Sequence, residues 1–376
     1  SISYSKTGYF SKTIGDYLKQ DTSLESFYGK FPTIEGIKQQ LEEKQKSFTQ
    51  KGRSVLVSQL QEQYAGVTIS QATQDSISVL SKNSTFTVTT GHQLNLFSGP
   101  MYYIYKILSV INLTEQLTKK YPENNFVPVF WMATEDHDFE EINGFNFKGN
   151  KIKWDTTQSG PVGRFSTKAL QDLVTVLKSE FGQTTNGSYL LDLFQAAYLQ
   201  NDTLAQATRF ITNALFGSYG IVVLDGDDRG LKKQFTSYIE AELFAKKGFK
   251  EISRTSKRLV SLGYSQQVHP REINLFYIKD GLRARIIEKD GAFLINNTSL
   301  VFSKAQMQDQ VSKYPERFSP NALLRGLYQE VILPNLCYVG GGGELAYWFQ
   351  LKDYFESVEV AFPVLLLRNS AVLSNK

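Results

Sequence analysis

Two clusters of chemically capable side chains each follow an apolar run directly. Gly91-His92-Gln93 comes after the β-branched stretch Phe86-Thr87-Val88-Thr89-Thr90 and before Ser98-Gly99-Pro100. Thr134-Glu135-Asp136-His137-Asp138 ends the run from Phe126 to Ala133. The chain has three histidines, so His92 and His137 place two of the three at these strand ends. In open α/β sheets, ligands bind outside the carboxyl ends of the strands, where the topology reverses. Both clusters are therefore candidates for one site.

The chemistry differs between them. His92 can donate a hydrogen bond to a phosphate as negative charge builds in phosphoryl or adenylyl transfer; the plainer reading is a satisfied, partly buried histidine. Glu135, Asp136 and His137 can bind an ammonium group, act as general base toward an amine, or hold Mg²⁺ through water. Zinc is disfavoured by the single local histidine, and no tightly bound metal is expected. Glu140 and Glu141 read as residues favoured at a helix start. Gly340, Gly341, Gly342 and Gly343, followed by Glu344, lie between a predicted strand and a predicted helix, where bare amides can cradle a phosphate or carboxylate. The stretch is neither a Walker A loop nor a GxGxxG fingerprint, and a turn before a helix capped by Glu344 is the alternative. Asp225, Asp227 and Asp228 end a further apolar run as either a turn or part of the site. Arg283 and Arg285 read as a solvated hairpin face, Cys337 as packing, and His269 as structural unless its segment folds over the crevice.

These residues need a frame. Thr85 to Thr90 and Phe126 to Ala133 read as parallel strands, joined by a helix from Pro100 to Lys119 with Ser98 or Gly99 as cap and Ile104, Ile107, Leu108 and Ile111 as its apolar stripe. Further core strands are expected at Gly220 to Leu224, Leu336 to Val339 and Phe362 to Leu367, with helices from Ser319-Pro320 and from Leu345 to Phe355. The fold class is α/β, a Rossmann-like parallel sheet core with two connecting insertions, one helical and one hairpin-rich, and a helical N-terminal segment. The expected segments are 1–82 helical entry, 83–143 first half of the core, 144–219 first insertion, 220–230 core strand, 231–318 second insertion and 319–376 last part of the core. The hairpins of the second insertion are placed at Ile273 to Ile278, Arg283 to Glu288 and Phe293 to Asn296.

Composition narrows the function classes. At 376 residues the chain exceeds the size at which one core stops growing, so more than one lobe is expected. Forty-one Lys+Arg against 37 Asp+Glu give a net charge of +4, too balanced to imply a nucleic-acid partner. The single cysteine excludes an internal disulfide framework and a zinc site built on several thiolates. No apolar run is long enough to span a membrane and no signal peptide is recognised, so a cytoplasmic protein without a membrane partner is expected.

Four stretches carry a family resemblance: Thr90-Gly91-His92-Gln93-Leu94-Asn95-Leu96-Phe97-Ser98-Gly99-Pro100 through Tyr105-Lys106; Phe130 to Asn143 with its EDHDFEEIN core; Phe318 to Arg325; and Tyr338 to Trp348. They resemble the bacillithiol biosynthesis cysteine-adding enzymes, in order along nearly the whole chain. The resemblance implies a Rossmann-type core similar in plan to class I aminoacyl-tRNA synthetases. It also implies a ligase that joins cysteine to glucosaminyl-malate. Amide synthesis of this kind needs carboxylate activation, so ATP or another nucleotide, with or without Mg²⁺, is the expected cosubstrate. His92, Asn95, Ser98 and Gly99, beside Gly91, would hold phosphates, and Gly340 to Gly343 would flank the adenosine or acyl group. Glu135, Asp136 and His137 would receive the cysteine ammonium or deprotonate the amine, with Asp225 across the crevice. Members of the family usually continue into a C-terminal coiled-coil arm linked to dimerisation. This chain stops at Lys376, which leaves a homodimer through that arm open. The competing classes are a metal-dependent hydrolase on Glu135, Asp136, His137 and Asp225, and a non-catalytic nucleotide-binding or interaction protein.

Overall fold

The computed structural model describes residues 2–181 and 184–371. Residues 182–183 of the expected helical insertion and 372–376 of the expected last core segment lie outside the described residues. Among the described residues twelve strands form three sheets: β1 (Thr85–His92), β2 (Asn125–Met132), β3 (Gly144–Phe147), β4 (Asn150–Lys153), β5 (Val222–Asp225), β6 (Leu275–Lys279), β7 (Leu282–Lys289), β8 (Ala292–Ile295), β9 (Val301–Ser303), β10 (Phe318–Pro320), β11 (Asn335–Gly340) and β12 (Val364–Leu367). The central sheet has the order β12-β11-β1-β2-β5 and is parallel throughout. This is the parallel α/β core expected from the sequence.

The strands are apolar because helices cover both faces. Phe86, Val88, Leu336, Cys337, Val339 and Val364 pack on one face with Val110, Leu113 and Leu117 of the helix Tyr102–Lys120 and with Ile37 and Leu41 of the helix Ile34–Ser47. Val127, Val129, Phe130 and Val222 to Leu224 belong to the larger core that includes the other face. Parallel strands buried on both sides read as nearly continuous hydrophobic runs for this reason. The threonines of β1 are buried too, and the hydroxyls of Thr87, Thr89 and Thr90 are satisfied across the sheet. Thr87 and Thr89 donate to Asn335 Oδ1 at 3.2 and 2.8 Å, and Thr90 donates to the Val339 carbonyl at 2.7 Å.

Strand order locates the switch point. β1 leads through the helix Tyr102–Lys120 to β2 on one side, whereas β11 leads to β12 on the other. The chain therefore diverges between β1 and β11, and the ends of these two strands, His92 and Gly340, border the opening.

Several local readings change. β1 runs two residues further than expected and carries Gly91 and His92 inside it, paired with Trp131 and Met132 of β2. Neither Ser98 nor Gly99 caps the following helix, which starts at Tyr102. Phe97, Ser98 and Gly99 all have positive φ, 52°, 68° and 61°, so the backbone bends left-handed before the helix can begin. Phe318–Pro320 is a strand, not a helix start; it pairs with β6, and Asn321 caps the helix Ala322–Ile332 instead. The hairpin-rich region is wider than expected, because β6 to β9 and β10 close a second sheet of order β10-β6-β7-β8-β9. The expected helix from Leu345 to Phe355 is split into Gly342–Trp348 and Lys352–Ser357 by a tighter turn.

Candidate active site

Two adjoining hollows open at the carboxyl ends of the central strands. The first, about 440 Å³, lies at the switch point between β1 and β11. His92 and Gly91 come from the end of β1, Lys106 from the helix behind it, Gly341 to Glu344 from the cap and first turn of the helix after β11, and Arg368 from just past the end of β12. The second, about 700 Å³, lies at the tip of β2 between Glu135 to Asp138 and the second sheet. Trp131, Ala133, Arg325 and Tyr347 line both. His92 and Gly341 thus share one hollow, and Asp136 lies in its neighbour.

The switch-point hollow is electropositive. Lys106 is buried, donates to the Gly91 carbonyl at 2.7 Å and pairs with Glu344 at 2.7 Å. Glu344 also accepts from the Gly341 amide at 2.7 Å and from the Tyr338 hydroxyl at 2.8 Å. Burial pushes the Glu344 carboxyl up, but Lys106 and these hydrogen bonds outweigh it and hold it below the usual carboxylate range. With Arg325 and Arg368 added, three cations face one carboxylate, a balance suited to an anionic group. The Gly341 amide is already occupied by its capping carboxylate, so the glycine turn offers fewer amides than the sequence suggests. Gly340 is the last residue of β11, and a Cβ there would meet Leu345 at 2.7 Å.

His92 is buried with its ring 5.1 Å from that of Tyr102, and its Nε2 has no hydrogen-bond partner among the described residues. Burial, followed by the charge of Lys106, lowers its pKa to about 3. The imidazole is therefore neutral at physiological pH.

The larger hollow is mixed in charge. Asp136 accepts from the His137 amide at 2.7 Å through one oxygen and from Gln93 Nε2 at 3.1 Å through the other. Gln93 also donates to Glu141, which ties the ends of β1 and β2 together. Arg283 comes from the second insertion. It stacks on Phe276 at 3.9 Å, approaches His137 Nδ1 to 2.7 Å and donates to Ser319 and the Pro320 carbonyl. The solvated hairpin face expected for Arg283 is not what forms; Arg285 remains exposed, yet it and Arg271 line the same hollow. His269 lines it too, so the insertion does fold over the crevice.

Glu135 and Asp225 are held differently. Glu135 pairs with the buried Lys232 at 2.7 Å, and Lys232 also meets Asp227 at 2.9 Å, which Arg164 clamps at 2.8 Å. Burial raises the Glu135 carboxyl above the usual range, and Lys232 offsets this only in part. Asp225 accepts from the Thr134 hydroxyl and the Asp227 amide, and borders neither hollow. Its place is behind the site, where it fixes the turn after β2. Glu135, Asp136, His137 and Asp225 do not converge on one point, and no group of three His, Cys, Asp or Glu side chains among the described residues is arranged to hold a metal ion.

Asn95, Ser98 and Gly99 are also set apart from both hollows. Asn95 and Ser98 face a small cleft against Tyr103 and Tyr198, and Asn95 Nδ2 donates to the Glu141 carbonyl at 3.3 Å. The left-handed bend at Phe97 to Gly99 redirects the chain past Asn95 into the helix that follows. Gln93, named with the first cluster, borders the switch-point hollow, and Lys106, Arg325, Tyr347 and Arg368 border it without having been assigned a role from the sequence. A lysine inside an otherwise apolar helical stripe was the available signal for Lys106.

Fold and site together define a Rossmann-like α/β protein with a double hollow at its switch point. The description "Bacillithiol biosynthesis BshC, N-terminal Rossmann-like domain" matches residues 1–369, and the chain belongs to that family. It is 54% identical over 376 residues to a Flavobacterium psychrophilum protein and 51% identical over 375 residues to one from Flavobacterium johnsoniae, covering 100% of this chain and 70% of each relative. A Staphylococcus saprophyticus protein is 27% identical over 366 residues, covering 94% of this chain and 68% of the relative. All three carry the name "Putative cysteine ligase BshC". No helix among the described residues is long and apolar enough to cross a membrane.

Proposed function

We propose that this protein is a ligase that joins the cysteine carboxyl group to the glucosamine amine of glucosaminyl-malate, giving bacillithiol, with ATP activating the carboxylate as an acyl adenylate. The names of its relatives supply the ligase class, and one observation carries the division of labour. An electropositive hollow and a mixed-charge hollow share Trp131, Ala133, Arg325 and Tyr347 as a common wall. Phosphates suit the first and an amino acid with its polar acceptor suits the second.

In the first step a cysteine carboxylate oxygen attacks the α-phosphorus; an O–P bond forms, the α–β bond breaks, and pyrophosphate leaves. Lys106 and Arg368 neutralise the phosphates, and neutral His92 donates or accepts a hydrogen bond without adding charge. In the second step the amine attacks the carbonyl carbon, the C–N bond forms, AMP leaves with the C–O electrons, and the amine proton passes to a base. Asp136 suits that role, since its carboxylate is accessible and oriented by Gln93 and the His137 amide. Glu135 is committed to Lys232. His137 accepts from Arg283 through Nδ1, so it offers an Nε2–H donor rather than a base. Arg271 and Arg285 face the malate carboxylates.

The test uses a chain extended to the full length of its relatives, incubated with ATP, glucosaminyl-malate and cysteine labelled with ¹⁸O in its carboxyl group. Bacillithiol with AMP carrying one ¹⁸O is the expected result. Label in inorganic phosphate would overturn the adenylate, and absence of bacillithiol would overturn the ligase.

A further inference from the structure

We infer that Arg325 is a catalytic residue of this ligase, placed where the two hollows meet so that its guanidinium bridges the activated phosphate and the acyl group during transfer. The inference rests on the proposed ligase reading and adds a residue and a role to it.

Arg325 is in the first turn of the helix Ala322–Ile332, which Asn321 caps by accepting from the Leu323 and Leu324 amides. From there its side chain passes between Trp131 of β2 and Tyr338 of β11, with centroid distances of 5.6 and 5.4 Å. Gly91 of β1 lies alongside, and a Cβ at that position would sit 3.6 Å from Nη1. The guanidinium thus stands over the ends of three adjacent strands at the point of chain divergence.

Its well-formed hydrogen bond lies on one edge of the fork, while the Tyr347 side chain approaches the guanidinium from the shared wall. Nη1 donates to Gln329 at 3.1 Å, Gln329 donates to Glu330 at 2.9 Å, and Glu330 is held by buried Lys44 at 3.2 Å and by Asn335 at 2.7 Å. This buried chain fixes one edge of the fork. Nη2 is buried and has no hydrogen-bond partner among the described residues. A buried guanidinium nitrogen left unpaired is costly unless something pairs with it in use. Arginine's planar fork suits the bridging task because separate N–H groups can meet two oxygens at once, which an ammonium on a flexible stem does not reproduce.

In the transfer step the amine nitrogen bonds to the acyl carbon while the C–O bond to phosphate breaks. Negative charge builds first on the carbonyl oxygen and then on the departing phosphate of AMP. A donor fork at the shared wall can follow that charge from one oxygen to the other.

The test compares wild-type, Arg325→Met, Arg325→Lys and Arg325→Ala proteins, each at full length. Bacillithiol formation is followed by mass spectrometry, ATP binding by calorimetry and folding by thermal melting. Arg325→Met retains bulk between Trp131 and Tyr338, and its kcat is expected to fall at least about 100-fold with KM for cysteine and the ATP Kd changed less than about 3-fold. Arg325→Lys is expected to lose at least about 10-fold, and guanidinium ion is expected to restore part of the kcat of Arg325→Ala. Folded Arg325→Met with kcat within about 3-fold of wild type would overturn the role. So would a loss seen only in KM or ATP Kd. If Arg325→Met does not fold, the lysine variant decides: full activity there overturns the bridging fork. A wild-type protein that makes no bacillithiol would instead sink the ligase reading itself.

Discussion

Arg283 Nη1 lies 2.7 Å from Nδ1 of His137, and this contact joins the second sheet to the tip of β2. A guanidinium can only donate, so Nδ1 accepts and the ring hydrogen sits on Nε2. Burial, then the Arg283 charge, lowers the His137 pKa.

Replacing Arg283 with Met is therefore expected to raise the His137 pKa. With three histidines in the chain, ¹H–¹⁵N long-range spectra across a pH titration resolve each ring. The wild-type protein is expected to show the Nε2–H tautomer for His137. An Nδ1–H tautomer, or a pKa unchanged by Arg283→Met, would remove the link between the insertion and the site.

His92 makes stability depend on acid. Its folded pKa of about 3 lies below the ordinary histidine value, so the unfolded chain binds the proton more readily. Its contribution is complete above roughly pH 6.5 and declines as pH falls toward 3, by about 1.4 kcal/mol per pH unit. Denaturant unfolding of wild type and His92→Gln at pH 7 and pH 5 measures this. The variant is expected to lose less stability between the two pH values; equal losses would mean that His92 is not buried neutral.

Much of the frame could be read from the chain because each central strand is covered on both faces and so appears as an apolar run. The end of β1 was legible to within two residues for the same reason. What escaped was set by long-range contact. Arg283 looks like half of an alternating surface hairpin until Phe276 and His137 are brought to it, and Phe318–Pro320 looks like a helix start until β6 pairs with it. Asn95, Ser98 and Gly99 follow a strand end in sequence, but Asn95 is drawn to the Glu141 carbonyl and the left-handed backbone from Phe97 to Gly99 redirects the two residues after it. The acidic cluster gave the right residue types without their partners; Lys232 is nearly a hundred positions from Glu135, and no local pattern announces that pairing.

The Lys106–Glu344 pair holds the glycine turn against the helix behind β1. Glu344→Gln keeps the shape and one acceptor oxygen but leaves the buried ammonium without its counter-charge. A loss of about 2 kcal/mol is expected, reduced from a fully buried pair by the partial exposure of Glu344. Guanidinium unfolding checks it, and Lys106→Met/Glu344→Gln is expected to be more stable than Glu344→Gln alone. Additive losses would show that the two charges do not depend on each other.

Gly99 is required by geometry rather than by ligand. Its φ is +61°, and a Cβ there would lie 2.4 Å from Cβ of Asn95. Gly99→Ala is expected to cost more than about 1 kcal/mol in thermal or denaturant unfolding while leaving ATP affinity of the folded protein unchanged. A large change in ATP affinity at full stability would return this segment to the phosphate site.

The central claim is that the two hollows form one active site across Arg325. A crystal structure of the full-length protein with a non-hydrolysable cysteinyl-sulfamoyl adenosine tests it most directly. The sulfamoyl group is expected beside Lys106, Arg325 and Arg368, with the cysteinyl ammonium directed toward Asp136. An analogue bound elsewhere, with both hollows free of it, would contradict the account.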